Sequence, residues 1–592
     1  MTFLHIRHQQ LTPIRRFRWV HCQIETLRRC FTLSIRQILD GLPQTLDETY
    51  ERILLEIDDE KQVYANRLFQ CLATSIRPLG VEELAEIFAV LPNAGSTPDF
   101  NVNWRPEDPE AFILSACSTL VTIVNTQGGR KAQFSHFSVK EYLTSDRIAN
   151  SACGAHFQVL PKAAHTLLAR ACLGVLLQLD DSIDETKINN LPLALYAAEY
   201  WVYHARFEDV LSDIGDGVDR LLDKDKPHFG AWLWVFNIET RESMNWDTDD
   251  PEEPTAVPLY YAAYCGFRGL VERLLELYPQ DLDAEGGEWG TPLGAAIIER
   301  HLDIVQLLLE QGADGETCGE AFKTGLYVAS CTTHADNVRI VRTLLDRGAN
   351  PNAVCEDWES RHEDVEWTPL HAAVSVGRQE TVRVLLDYGA DINHPDSLGK
   401  SPLHIASYYS YDSEDLVQLL LDHGANLGAS DDFGLNALHE ASSSTFGKEA
   451  VGLLLDSGLD ANGRSKERCN PLNRPGLCIY SDSEGWTPLH YAAYGGVVEA
   501  AQVLLDYDAD INTPDEDHWT PLHLAAFKGH PQVVDTLLQR GANPHARTIE
   551  GHTPLELTST REWQSRENES RDSTMQLLSE HTGLIESGYG PQ

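Results

Sequence analysis

The chain has 592 residues, several times the ~100–200 of a typical domain, so more than one folding unit is expected. With 42% apolar and 23% charged residues its composition is that of a globular protein, and no apolar stretch approaches the ~20 residues that a bilayer-spanning helix needs. A formal charge of −44 repels phosphate backbones and anionic lipid, so other proteins are the expected partners, and nucleic acid and membrane are not.

Residues 1–36 invert that charge, with seven arginines (Arg7, Arg15, Arg16, Arg18, Arg28, Arg29, Arg36) against Glu25. They share the arginine-rich composition of a mitochondrial presequence but lack the apolar core of a secretory signal. Twelve cysteines between Cys22 and Cys478 include no C-x-x-C pair and no cluster at zinc-ligand spacing, which points to reduced thiols, no metal, and a cytoplasmic protein with the nucleus as alternative. Residues 40–245 read mainly as helix, with segments at 48–57, 63–75 and 81–90 before a hairpin candidate and one at 139–144 after it. In the hairpin, 120–125 is an alternating β-branched run, Gly128-Gly129 a turn signal, and 131–137 the second strand. Helices followed by a hairpin suggest a winged-helix module. The run 167–179, apolar apart from Arg170 and Gln178, reads as a buried helix, and the acidic run 247–250 as a solvated linker, since it lacks the glycine and glutamate of a calcium loop.

From residue 258 onward the chain repeats itself. The motif recurs at Pro258-Leu259, Thr291-Pro292-Leu293, Gly325-Leu326, Thr368-Pro369-Leu370-His371, Ser401-Pro402-Leu403-His404, Asn436-Ala437-Leu438-His439, Thr487-Pro488-Leu489-His490, Thr520-Pro521-Leu522-His523 and Thr553-Pro554-Leu555, at steps of 34, 33, 44, 33, 35, 51, 33 and 33. A period of ~33 with T-P-L-H-x-A is the ankyrin signature. Thr, Ser or Asn caps the first helix, and Pro at its first position has no N–H to leave unsatisfied. Alanine pairs such as Ala262-Ala263 and Ala492-Ala493 allow close helix approach. A second helix, as at 382–388 or 533–540, stops at a glycine (Gly312, Gly348, Gly389, Gly424, Gly458, Gly541) placed for a left-handed cap, with Asp508 replacing it in the eighth repeat. The expected fold is mainly α: an ankyrin-repeat solenoid of about nine repeats preceded by a winged-helix-like and helical domain. The excess of the two long steps falls at 352–367 and 462–486, as loops between repeats.

Several stretches resemble the NACHT-type ATPases of filamentous fungi: Phe17-Arg18-Trp19-Val20, Leu42-Pro43-Gln44-Thr45-Leu46-Asp47-Glu48-Thr49-Tyr50, Arg77-Pro78-Leu79, Glu82-Glu83-Leu84-Ala85, and His136-Phe137-Ser138-Val139-Lys140-Glu141-Tyr142-Leu143. In that family a nucleotide-binding domain precedes a winged-helix region, a helical segment and ankyrin repeats. The resemblance implies a remnant of the ATPase tail at 1–39, a winged-helix-like region at 40–150, a helical region at 151–247, a linker at 248–255 and the array at 256–583. No G-x-x-x-x-G-K-[ST] is present, and Gly399-Lys400-Ser401 belongs to a repeat motif, so no nucleotide or other cofactor is expected.

Catalytic residues are likewise not expected: there is no G-x-S-x-G or H-E-x-x-H, and Ser135-His136 on a strand would face opposite ways. Glu82, Glu83 and Glu86 on one short helix argue against a DNA-reading winged helix. The motif histidines, ~10 Å apart by the spacing of packed helices, are too distant to share a metal. Protein binding remains. Trp367, Trp486 and Trp519 precede the motif Thr on the hairpin side, and Tyr264, Tyr408, Tyr494 and Phe527 follow the small pair, on the expected concave face; this aromatic stripe is the candidate binding groove, or else it stiffens the stack. A basic island, Arg464, Lys466, Arg468 and Arg474, is a second candidate or a loop kept solvated by its charge. The function expected is a non-catalytic scaffold, the alternatives being a signalling NTPase whose ATPase domain is missing or an ankyrin-type transcription co-regulator. Oligomeric state is not legible.

Overall fold

The computed structural model describes residues 45–90, 98–117, 119–237, 242–243, 254–315, 325–332, 337–356, 366–409, 413–445, 447–465, 485–559 and 568–583. Residues 1–36, the acidic run 247–250, and Lys466, Arg468 and Arg474 lie outside them. The chain forms two compact units, 1–277 and 278–592.

In the first unit, Thr45 opens helix Leu46–Leu55 with a reciprocal cap: its hydroxyl accepts the Glu48 N–H (3.1 Å) while the Glu48 carboxylate accepts the Thr45 N–H (3.4 Å). Helices Asp59–Thr74, Val81–Ile87 and Pro109–Cys117 follow, then strands β1 (Val121–Thr126) and β2 (Gly129–Phe134), antiparallel with Val121 opposite Phe134 and Thr126 opposite Gly129. The second strand ends three residues before the alternation suggests. The reason is His136, whose Nδ1 accepts the Ser138 N–H (3.2 Å) and thereby caps helix Phe137–Leu143. Helix Pro161–Leu176 runs through the interior, packed against Asp59–Thr74, Ala194–Ala205 and Val210–Leu221.

The three glutamates of helix Val81–Ile87 are not a free acidic face. Glu86 is fully buried, pairs with Arg105 and accepts the Leu193 N–H (2.6 Å); Glu83 takes Arg77 through two bonds (2.6 and 3.0 Å); Glu82 pairs with Arg130 (2.5 Å). The first repeat, helices Pro258–Tyr264 and Arg268–Leu277, also belongs to this unit. Arg206 donates to the carbonyls of Cys265 (2.6 Å) and Tyr264 (3.0 Å), and Trp201 meets Phe267 at 5.5 Å.

Among the described residues, the second unit holds eight further helix pairs. First helices Pro369–Ser375, Pro402–Tyr409, Ala437–Ser443 and Pro488–Gly495 stack in turn, as do second helices such as Lys448–Asp456, Val498–Asp506 and Pro531–Gln539. Up to the last pair these helices run seven to ten residues, too few for a helix to persist alone, so the stacking supplies the stability. The six glycines after the second helices all have positive φ, between 87° and 105°, and Asp508 does too, at 62°. The first insertion leaves through a short antiparallel pair, Cys355 opposite Trp367 and Glu356 opposite Glu366. The second is closed by Ser465, whose N–H donates to the Trp486 carbonyl (2.9 Å).

Candidate protein-binding surface

Which side chains a repeat leaves for a partner depends on which ones it spends on its neighbours. The motif histidine is spent. It sits at the third helical position, where a capping-box Glu would be, and His490 Nδ1 accepts the Thr487 N–H (3.1 Å). A backbone N–H can only donate, so Nδ1 carries no proton, and Nε2 must donate to the next repeat, at the Trp519 carbonyl (3.1 Å). His371 reaches Lys400 (3.2 Å), His404 reaches Leu435 (3.0 Å), His439 reaches Gly463 (3.2 Å) and His523 reaches His552 (3.2 Å) in the same manner. Burial pushes His371, His439, His490 and His523 down to about 4. In the last repeat Glu556 keeps the cap, accepting the Thr553 N–H at 2.7 Å, without a second donor to offer.

Two of the three tryptophans are spent as well. Trp367 and Trp486 are 9% and 3% exposed, and their indole N–H groups donate to Asp396 (3.4 Å) and Asp515 (3.0 Å) of the following repeat. Those aspartates are buried and also accept backbone N–H bonds that shape the turn, from Leu398 and Lys400 and from Trp519. Asp431 does the same for Phe433 and Leu435. Trp519 differs. Thr548 stands where an aspartate would be, and the ring remains half-buried, edge-on to Phe527 at 5.5 Å. Tyr408 and Phe527 are also half-buried, whereas Tyr264 and Tyr494 are 5% and 7% exposed, with Tyr494 lying against Trp486 (5.4 Å) and beneath Lys528 (4.2 Å). The structure therefore brings Trp519 and Phe527 together, and separately Trp486 and Tyr494; Trp367 contacts exposed Tyr409 (6.5 Å) rather than Tyr408.

Lys400 occupies the tryptophan position of its repeat and likewise reaches forward, to buried Glu440 at 3.1 Å. A second ladder links the ends of the second helices: Arg347 to Glu310 (3.6 Å), Tyr388 to Asp346, Tyr507 to Asp456, and Arg540 to Asp506 (2.7 Å). Neither feature is apparent from the repeat motif. The signal for the buried turn aspartates is a fixed offset, since Asp396, Asp431 and Asp515 each lie five residues before Ser401, Asn436 and Thr520. No group of three or more potential metal ligands occurs among the described residues.

A family model that describes a set of three ankyrin repeats matches four stretches, residues 259–355, 326–431, 396–466 and 467–548. The C-terminal region is built of ankyrin repeats. The azaphilone pigments biosynthesis cluster protein L of Monascus ruber is 31% identical over 292 residues, 47% of this chain and 61% of that protein. B-cell lymphoma 3 protein of Homo sapiens is 36% identical over 156 residues, 26% of this chain and 33% of its own length. Inversin of Canis lupus familiaris is 26% identical over 256 residues, covering 43% and 21% respectively. The chain thus spans between 21% and 61% of these relatives. Ankyrin repeats indicate a role in protein–protein interaction. No helix among the described residues is long and apolar enough to cross a membrane.

Proposed function

We propose that this protein is a non-catalytic scaffold that captures another protein on its ankyrin repeats, with Trp519, Phe527 and Tyr408 facing the partner and Trp367, Trp486, Tyr264 and Tyr494 serving the stack. The observation that carries this reading is the contrast at one motif position: two tryptophans are committed to an aspartate of the next repeat, while Trp519 has none and keeps surface exposed. Large aromatic rings left half in solvent are the residues that most often dominate an interface. The resemblance to NACHT-type proteins supports a winged-helix-like region at 40–150, a helical region at 151–247, a linker at 248–255 and an array at 256–583.

The test is affinity capture with the full chain as bait. Trp519→Ala with Phe527→Ala weakens capture by about 10-fold or more while the melting temperature changes little, as loss of a hot spot would. Unchanged capture refutes the assignment of those rings. Micromolar ATP binding by calorimetry would instead favour a nucleotide-driven switch.

A further inference from the structure

The first unit contains an open cleft of about 890 Å3 between helices Asp59–Thr74 and Pro161–Leu176. Helical spacing builds it, because Val63 and Arg67 lie one turn apart on one wall, and Ala163, Leu167 and Arg170 follow the same rule on the other. Val63 and Leu160 are 62% and 53% exposed and give the mouth apolar surface beside the polar Asp59, Gln62 and Asn66. Leu167, which is buried, continues that apolar lining inward.

Arg67 sets the chemistry. Its side chain is 8% exposed, and its Nη2 donates to the carbonyls of Ile87 (2.7 Å) and Val90 (2.9 Å), with the guanidinium 5.1 Å over the Phe88 ring. Nε is buried without a hydrogen-bond partner, Nη1 donates to no group among the described residues, and no carboxylate of theirs lies within ion-pair distance. A buried cation without a counter-ion costs several kcal/mol in the folded state. Of the other cations of the cleft, Lys162 lies between Asp209 (3.7 Å) and Asp213 (3.9 Å), whereas Arg170, like Arg67, donates to a backbone carbonyl, that of Asp213 (3.0 Å). Asp59, the remaining carboxylate of the lining, accepts the Gln62 amide (3.0 Å). The cleft thus joins an uncompensated guanidinium to apolar surface, in a chain whose net charge is −44.

We propose that this cleft binds a small organic acid, its carboxylate against Arg67 and its apolar body over Val63, Leu160 and Leu167. A guanidinium supplies planar, permanently charged donors suited to a carboxylate, and the apolar surface of the mouth rewards a hydrocarbon body. The charge alone would serve acetate equally well, and the mouth alone would serve an alcohol.

Calorimetry on the full chain at pH 7.5 with octanoate as probe tests the assignment, with acetate and octanol as partial probes. Octanoate saturates with a Kd of about 1 mM or tighter, and each partial probe binds about tenfold more weakly or worse. Ala163→Trp, at an exposed helical position of the cleft wall, fills the space and weakens octanoate about tenfold without lowering the melting temperature. Arg67→Gln does the same to binding. Because Arg67 also holds two backbone carbonyls, a melt accompanies that variant, and if it unfolds, Ala163→Trp and the octanol comparison decide. Absence of saturable octanoate binding, equal binding by Ala163→Trp, or octanol or acetate matching octanoate each overturns the proposal.

Discussion

Acid should unfasten the repeat array at its histidines. His371, His439, His490 and His523 each bridge two repeats as a neutral imidazole with Nδ1 facing a backbone N–H, so a proton there would set donor against donor. Burial holds the four near 4 in the fold, against ~6.5 in an unfolded chain. A depressed pKa means that the stabilisation is present above pH 6.5 and is lost as pH falls toward 4, because the unfolded chain takes up protons first. Between pH 7.5 and 5.0 each histidine loses about 2 kcal/mol of this contribution, and together they lose about 8 kcal/mol if the array unfolds as one unit. That is comparable with the total stability of ~5–15 kcal/mol usual for a folded domain. His490→Gln separates this effect from the carboxylates and from the buried His165 and His204 of the first unit: glutamine can accept the Thr487 N–H but does not titrate. Urea melts followed by circular dichroism from pH 7.5 to 5.0 at fixed ionic strength should show a variant whose stability falls by about 2 kcal/mol less than that of the parent. Identical pH dependence of parent and variant would refute the reasoning.

Two further substitutions probe the joints between repeats. Lys400→Met leaves Glu440 buried without its cation and costs about 3–5 kcal/mol in urea unfolding, while Lys400→Met with Glu440→Leu recovers most of the loss; equal losses in both would show that the pair is not coupled. Asp508→Gly relieves a left-handed backbone at φ 62° and raises stability by roughly 1 kcal/mol, read as a higher urea midpoint, with no change or a decrease counting against strain at that turn.

The array was legible in the sequence because each of its devices is local. A cap lies three residues from the group it satisfies, a glycine terminates the helix it follows, and a period of about 33 exposes both through repetition. The observed positive φ at Gly312 through Gly541 and at Asp508 follows from that local chemistry. The candidate groove was only partly legible: Trp367, Trp486 and Trp519 hold the same motif position and look alike in sequence, and the residue 29 positions later, Asp396, Asp515 or Thr548, separates them.

Sequence alone determined that short helix pairs recur and where each begins and stops, since those choices rest on backbone geometry within a few residues. Tertiary structure alone decided which polar groups meet. The reach of Lys400 to Glu440, the burial of Glu86 behind Arg105, and the isolation of Arg67 beside a cleft all arise where elements distant in the chain come together. Burial multiplies the energetic weight of such charges, and burial is a property of the packed fold rather than of any one segment.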